Sequence, residues 1–325
     1  GTSTTTYGFA GDEEPRGEIS TIIGKLKPTL MRANSFMPTE FVGSDALLKK
    51  SLVTINHPIV EGKITHCDEM KKIMNKIFSE LEATGVKSVI FTQPITADKY
   101  YRKQISELLF DDQSLEITFH FQPVLSLRSS GTSSTGFIVE MGSGITQIAP
   151  IYENELIEHA AQSFAVAGND LTAFLTNLLN EIENVFSTPA EIKKVEEIIA
   201  EHCHVAMDYD SERTEPVTYK IDDVRIPLSN EKYLCPEALF NPSHIDLCSK
   251  GLHKVIYESI MKCDKQIQEE LFKNIVLTGG SSQFPGLQAR LEKELRNLTD
   301  MEVKVITHPH QKYSSWIGGS MYANK

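Results

Sequence analysis

No apolar run in this chain approaches the roughly 18 residues that a bilayer-spanning helix needs. The start Gly1-Thr2-Ser3-Thr4 has neither the basic nor the apolar stretch of a signal peptide. Both absences predict a chain that stays inside the cell and away from membranes. Cysteine is scarce: Cys67, Cys203, Cys235, Cys248 and Cys263 are odd in number and never fall at a CxxC spacing. That argues against a zinc site and for a reducing compartment, so all five read as ordinary buried or half-buried thiols. An excess of positive charge is missing too. The formal net charge is -12, which disfavours direct nucleic-acid binding by long-range attraction and makes basic partners or cations the easier expectation.

What is present suffices for a sizeable core: 40% of the 325 residues are hydrophobic and 23% are charged, a length that suggests two domains or one lobed unit. Strand-like and helix-like segments alternate, the pattern of α/β architecture. The clearest helix follows Thr65. There Thr65 and Asp68 predict a capping box, and Met70, Ile73, Met74, Ile77, Phe78 and Leu81 recur on one face. A strand from Ser88 to Gln93, a helix around Tyr100 to Phe110, a strand from Glu116 to Phe121 and a short helix opened by Pro123 complete one α/β half.

The second half starts at Gly136, with a strand through Glu140, a tight turn Met141-Gly142-Ser143-Gly144 and a returning strand from Ile145 to Tyr152. Asn169-Asp170 is expected to cap a helix carrying Leu171, Phe174, Leu175 and Leu178. Thr188-Pro189-Ala190-Glu191 combines a cap, a first-turn proline and an acid three residues on. A helix from Leu252 to Cys263, a strand from Asn274 to Thr278, a helix from Pro285 to Leu298 and a strand from Glu302 to Thr307 continue the alternation. No low-complexity linker separates the halves, which are expected to share an interface and a cleft.

Two segments look like versions of one device: Gly1 to Gly8 at the start, and Glu140-Met141-Gly142-Ser143-Gly144-Ile145-Thr146 in the middle. Each reads as a glycine- or hydroxyl-rich hairpin turn, able to aim backbone amides and hydroxyls at phosphate oxygens. Either one alone is better read as an ordinary hairpin; their occurrence once in each half is what points to phosphate. A third segment, Leu277-Thr278-Gly279-Gly280-Ser281-Ser282-Gln283-Phe284-Pro285-Gly286, joins a strand to a helix through a glycine pair, where backbone can pass close under a flat ligand or a phosphate. A fourth, Val166-Ala167-Gly168-Asn169-Asp170, is by itself only a helix cap.

Taken in order, Gly8-Phe9-Ala10-Gly11-Asp12, Pro58-Ile59 to Gly62, Val124-Leu125-Ser126-Leu127, Pro150-Ile151-Tyr152-Glu153, Ala167-Gly168 with Asp170-Leu171-Thr172, Ser259 to Asp264, Gly279-Gly280 with Pro285-Gly286, and Tyr313-Ser314 with Trp316 to Ser320 resemble actin and the actin-related proteins along essentially the whole chain. On this resemblance the chain begins inside the first phosphate loop and stops before the last stretch typical of actins. The resemblance implies an α/β actin-like fold, shared with sugar kinases and heat-shock chaperones: a two-lobed, four-subdomain clamp around a nucleotide cleft. The implied subdomains are 1–20, 58–129 and 314–325 (first), 21–57 (second), 130–166 and 248–313 (third) and 167–247 (fourth).

The implied cofactor is ATP or ADP with Mg2+ or Ca2+. Gly1, Thr2, Ser3 and Thr4 and the turn Gly142, Ser143, Gly144 and Ile145 would hold phosphates; Gly168, Asp170, Gly279, Gly280, Ser281, Phe284 and Lys312 would surround ribose and adenine. Gln122 falls where actins place the glutamine that positions the attacking water, with a polar helix cap as its plain alternative. Glu140 and Gln147 stand at the other two catalytic positions, Glu140 also meeting the metal through water.

Departures from the family pattern crowd the same places. Glu140 stands for an aspartate and reaches about one methylene further, Ser143 stands for a second aspartate, and Gln147 for the histidine beside the attacking water. Ile199 and Ala200 replace a lysine and a glutamate that clamp the base and ribose, and Thr6 replaces a phosphate-contacting lysine. Each lost charge-assisted contact costs on the order of 1.5–3 kcal/mol before compensation. On the surface, His244-Ile245-Asp246-Leu247 lies where actins have an apolar plug, Arg128 where an aromatic residue lines an outer groove, and the segment after Asp208 is shorter. Leu30 to Phe41 keeps the length of the loop that inserts into a neighbour. The resulting expectation is a divergent actin-like nucleotide-binding protein with weak or slow hydrolysis. It would act through protein partners such as actin or actin-binding proteins, in the cytoplasm at the cytoskeleton or in the nucleus. A polymerising ATPase and, less favoured, a small-molecule kinase of the same superfold are the alternatives.

Overall fold

The computed structural model describes residues 1–28, 38–49, 51–109, 115–182, 186–213, 215–221 and 224–324. The chain forms two compact units: Gly1–Ser129 with Tyr313–Lys325, and Ser130–Lys312. Among the described residues, no helix is long and apolar enough to cross a membrane.

Unit 1 opens with strand β1 (Thr4–Tyr7), paired antiparallel with β2 (Gly17–Ser20). The expected hairpin turn at Gly1 to Gly8 is therefore a short lead-in and a strand; β-branched Thr4, Thr5 and Thr6 suit extended backbone better than a turn. β3 (Ile23–Leu26) lies between β4 (Glu40–Val42) and β5 (Val53–Asn56), and β6 (Ile59–Val60) pairs with β7 (Lys63–Ile64). Of the loop expected from Leu30 to Phe41, residues 30–37 lie outside the described residues.

The helix Cys67–Glu80 buries Met70, Ile73, Met74 and Ile77 against Tyr101, Ile105, Leu108 and Leu109 of the helix Lys99–Leu109, while Phe78 and Leu81 pack at its edge. This is the face expected from its spacing. The capping box is not formed: His66 is the cap residue and makes no side-chain cap bond, because the Thr65 hydroxyl donates to the Pro58 carbonyl at 3.2 Å. Thr65 is one residue too early, its own amide already bonded to Pro58. β8 (Ser88–Gln93) and β9 (Glu116–Phe121) pair in parallel and lead to the helix Gln122–Ser130. Within the unit's C-terminal helix, Ser314–Ala323, a Cβ on Gly318 would stand 1.8 Å from the Leu125 carbonyl, so only glycine lets the two helices meet there.

Unit 2 is built on a six-stranded mixed sheet. β10 (Gly136–Met141) and β11 (Thr146–Tyr152) form an antiparallel hairpin; β12 (Glu155–Leu156) and β13 (Gln162–Phe164) both pair with β11. β14 (Val217–Ile221) and β15 (Val224–Leu228) make a separate hairpin. β16 (Ile275–Thr278) runs parallel beside β10, and β17 (Val305–Ile306) beside β16. The last strand is shorter than expected, and the flanking helices span Leu252–Met261, Lys265–Lys273 and Leu287–Arg296.

Alternation sorts the sheet faces. Phe137, Val139, Met141, Ile148, Ile275 and Leu277 join one large core with Leu171, Leu175, Ile256, Phe272 and Leu291. In strands the neighbours of these residues must point the other way. The core also takes in charged groups, Arg290 with Glu237 among them. Arg290 is 8% exposed; it donates to the Ala206 carbonyl at 2.6 Å and to both oxygens of Glu237 at 3.2 and 3.3 Å, and lies over the Phe240 ring. Pairing the guanidinium in this way, with its Nε also donating to Glu294 at 2.7 Å, is what makes its burial tolerable.

All five cysteines are free thiols, and Cys248 is exposed rather than buried, because it follows the left-handed residue Asp246 at the end of a short 3-10 helix. The helix Pro189–His202 starts with the expected capping box: Thr188 Oγ1 accepts from the Glu191 amide and Glu191 accepts from the Thr188 amide. The Ser187 and Thr188 amides hold the Glu191 carboxyl down at about 2, against an ordinary 4.5. Because the folded-state value is depressed, the stabilisation is present above about pH 4.5 and fades as the pH falls toward 2. Glu191→Gln is expected to lower stability at neutral pH by about 0.5 kcal/mol after solvent screening. Denaturant midpoints of the two chains should converge as the pH is lowered through that window.

Candidate functional site

Three of the segments singled out by sequence meet in unit 2. The turn from Met141 to Ile145 is closed by the Gly142 amide donating to the Ile145 carbonyl at 2.9 Å. Its outer carbonyls are used as well. The Gly168 amide donates to the Gly142 carbonyl at 3.0 Å and the Asn169 amide to the Ser143 carbonyl at 2.7 Å, while the Ser281 hydroxyl reaches the same Gly142 carbonyl at 3.3 Å. The turn carbonyls thus cap the helix Gly168–Ile182. Asn169 and Asp170 sit inside its first turn, and Asp170 reaches back to the Ala167 amide at 2.8 Å, so the cap expected from their side chains is largely supplied by backbone.

Glycine is required where these segments touch. Gly279 has φ +88°, and a Cβ there would stand 2.3 Å from the Met141 carbonyl; a Cβ on Gly168 would stand 2.4 Å from Ser281 Oγ. Gly280 differs: a Cβ there would meet nothing within 4 Å, so its exposed backbone borders open space. Among the described residues, no backbone carbonyl accepts from the amides of Gly144 or Ile145. A turn whose carbonyls are tied inward and whose glycine-flanked amides are left over is suited to an anion such as a phosphate. Phe284 is half-buried against the unit's core just beyond, and Lys312 is exposed beside the buried Gln311, whose carbonyl accepts from the Gly279 amide at 2.9 Å.

The candidate catalytic side chains of this unit form a row. Glu140 is in register with Gln147 on β11 and with Thr278 on β16, so the three occupy neighbouring positions across the sheet, on the face opposite the large core. They are 9%, 1% and 0% exposed respectively. The row closes the carboxyl ends of the parallel strands β10 and β16, the end of an α/β sheet where ligands gather. Thr278 was missed by sequence reasoning. Its only signal was its place directly before Gly279-Gly280. Ser143 borders the row from the turn.

Unit 1 carries the remaining site candidates. Thr21 staples the first loop: its hydroxyl donates to the Gly1 carbonyl at 2.8 Å and lies 2.9 Å from Thr5 Oγ1, and its amide donates to the Ser3 carbonyl at 2.8 Å. Thr2 Oγ1 accepts from the Gly62 amide at 3.3 Å. Ser3 and Thr4 continue from this staple into β1, and Gln122 is half-buried at the first position of its helix.

The sequence matches the family model for actin over residues 1–325, the whole of the chain. This chain belongs to the actin family. Membership agrees with the mixed α/β content and the several sheets described above, and the family is one of nucleotide-binding proteins that take adenine nucleotide with a divalent cation. The site residues fit that group. Among the described residues no cluster of three or more His, Cys, Asp or Glu could hold a metal alone. A lone carboxylate beside a phosphate-suited turn is what a hydrated divalent cation carried on a nucleotide needs.

Gly279→Ala is expected to destabilise this actin-family chain by about 2–3 kcal/mol, since both the positive φ and the Met141 contact oppose a side chain. Gly280→Ala should stay within about 0.5 kcal/mol of the unaltered chain. Chemical denaturation of both variants gives the comparison, and equal midpoints would contradict the assigned geometry.

Proposed function

We propose that this actin-family chain binds Mg-ATP or Mg-ADP, hydrolyses ATP slowly, and works through protein partners rather than as a self-assembling filament. The observation that carries the nucleotide part is the tied turn Gly142–Ile145, with spare amides on one side and the buried Gln147–Glu140–Thr278 row on the other. Gly144 and Ile145 would bind phosphate through their amides. Ser143 would offer its hydroxyl, and Gly168, Asp170, Gly279, Gly280, Ser281, Phe284 and Lys312 would line ribose and adenine. The divalent cation, when bound, neutralises phosphate charge.

Glu140 would orient water around that cation, and Gln147 would hold water by hydrogen bonds without taking its proton. Gly1 to Thr4 and the water-positioning Gln122 belong to unit 1 and enter this reading through the family resemblance. Slow hydrolysis follows from the chemistry of the substitutions. An amide at Gln147 cannot act as a base, and Glu140 adds a rotatable bond to the group that must fix a water.

The partner-dependent part rests on the surfaces. Ile245 and Leu247, from the segment where actins carry an apolar plug, pack against the unit's own core, and Asp246 is exposed between them. The Arg128 guanidinium lies 5.2 Å from the centroid of the Tyr322 ring, placing a charge at an apolar family position. Burying Asp246 in an apolar contact would cost a few kcal/mol unless a partner supplied a cation. A filament repeats that cost at every subunit. Such a protein would reside in the cytoplasm or nucleus as one subunit of a hetero-complex, cytoskeletal or otherwise.

Two experiments test the reading. Calorimetric titration should give binding of Mg-ATP, followed by slow single turnover that rises in the triple variant Glu140→Asp, Ser143→Asp, Gln147→His. Absence of heat and of thermal stabilisation at millimolar nucleotide would refute the nucleotide reading, and brisk turnover by the unaltered chain would refute slow hydrolysis. For assembly, electron microscopy at tens of micromolar protein with Mg-ATP and physiological salt should show no long filaments. Abundant regular filaments would restore the polymerising ATPase.

A further inference from the structure

Unit 2 pairs its buried hydroxyls as a rule. Thr146 Oγ1 donates to the Val166 carbonyl, Ser259 Oγ to the Ala160 carbonyl and Ser282 Oγ to the Gly279 carbonyl, each at 2.7 Å. Thr278 is the exception: its residue is fully buried, its Oγ1 is shielded from solvent, and among the described residues it is the one buried hydroxyl with no hydrogen-bond partner. A valine has the same shape and would remove the unpaired group, so packing alone gives no reason for a threonine here. The site gives one. Thr278 is the last residue of β16, the register neighbour of Glu140, and the residue before the Gly279–Gly280 turn.

We propose that Thr278 is a positioning residue of the nucleotide site: its hydroxyl donates to the Glu140 carboxylate when nucleotide and cation are bound, and fixes the orientation in which that carboxylate meets water. The inference rests on the adenine-nucleotide reading above. A glutamate has one more rotatable bond than an aspartate, and Gln147 flanks it from β11. A donor on the β16 side therefore brackets the carboxylate between two polar neighbours on adjacent strands, about 4.8 Å away on each side. Leaving a buried hydroxyl unpaired by the protein is the cost of keeping the donor available. Residues that orient a metal-facing ligand in this manner typically change affinity by about 10–100-fold when altered.

The test compares the full chain with Thr278→Val and Thr278→Ser, by melting without nucleotide and by calorimetric titration of ATP in Mg2+ and in EDTA. Thr278→Val should melt at or above the unaltered chain. It should lose about tenfold in affinity in Mg2+ and nothing in EDTA, while Thr278→Ser stays within about twofold in both. Unchanged Mg2+ dependence in Thr278→Val overturns the inference. So does early melting of Thr278→Val, which would make the hydroxyl structural, or equal loss of affinity in EDTA. If the unaltered chain binds no ATP in either buffer, the nucleotide reading itself falls, and this inference with it; binding by the unaltered chain with an indifferent Thr278→Val removes the inference alone.

Discussion

The Gly142 carbonyl accepts from the Gly168 amide and from the Ser281 hydroxyl, and unit 2 is arranged around that shared acceptor. The two bonds tie the β10–β11 turn to the start of one helix and to the turn that leaves β16, three segments far apart in sequence. Each tie demands close approach, and close approach demands glycine: Gly168 lies against Ser281, and Gly279 lies under Met141 with positive φ. Because the carbonyls of the turn are consumed inward, its amides are what remain for a ligand. The turn's suitability for an anion is thus a by-product of how it is anchored.

The sheet imposes the second constraint. One face of β10, β11 and β16 is committed to the large core through Phe137, Val139, Ile148 and Leu277, so every neighbouring residue faces the other way. At the base of that second face stand Ile138, Ala149 and Val276, all fully buried. At its carboxyl end the row becomes polar, with Gln147, Glu140 and Thr278 side by side. Shifting any strand by one residue would exchange this polar row for core residues. The register that builds the core is therefore the same register that builds the site.

Much of this was legible in the sequence. The face Met70, Ile73, Met74 and Ile77 and the strand Ser88–Gln93 follow from period and composition. The hairpin around Gly142 and the capping box Thr188 to Glu191 follow as directly, because each depends on residues close together in the chain. Local reasoning failed where a distant group competed. Thr65 was expected to cap its helix and instead bonds Pro58, and Asn169-Asp170 was expected to cap a helix whose leading amides are taken by the carbonyls of Gly142 and Ser143. The first loop was read as a turn and is partly a strand, because Gly17–Ser20 returns to pair with it.

By itself the sequence determined the α/β alternation, the family, and which residue types stand at the candidate phosphate and catalytic positions, since these are properties of order and chemistry along the chain. Only the tertiary structure decided that Glu140, Gln147 and Thr278 share one face of one sheet, and that Thr278 keeps a buried hydroxyl unpaired. It also decided that Ile245 and Leu247 pack on their own core. The register of β16 beside β10, which sets Thr278 next to Glu140, relates segments far apart in the chain, and no local window contains both partners.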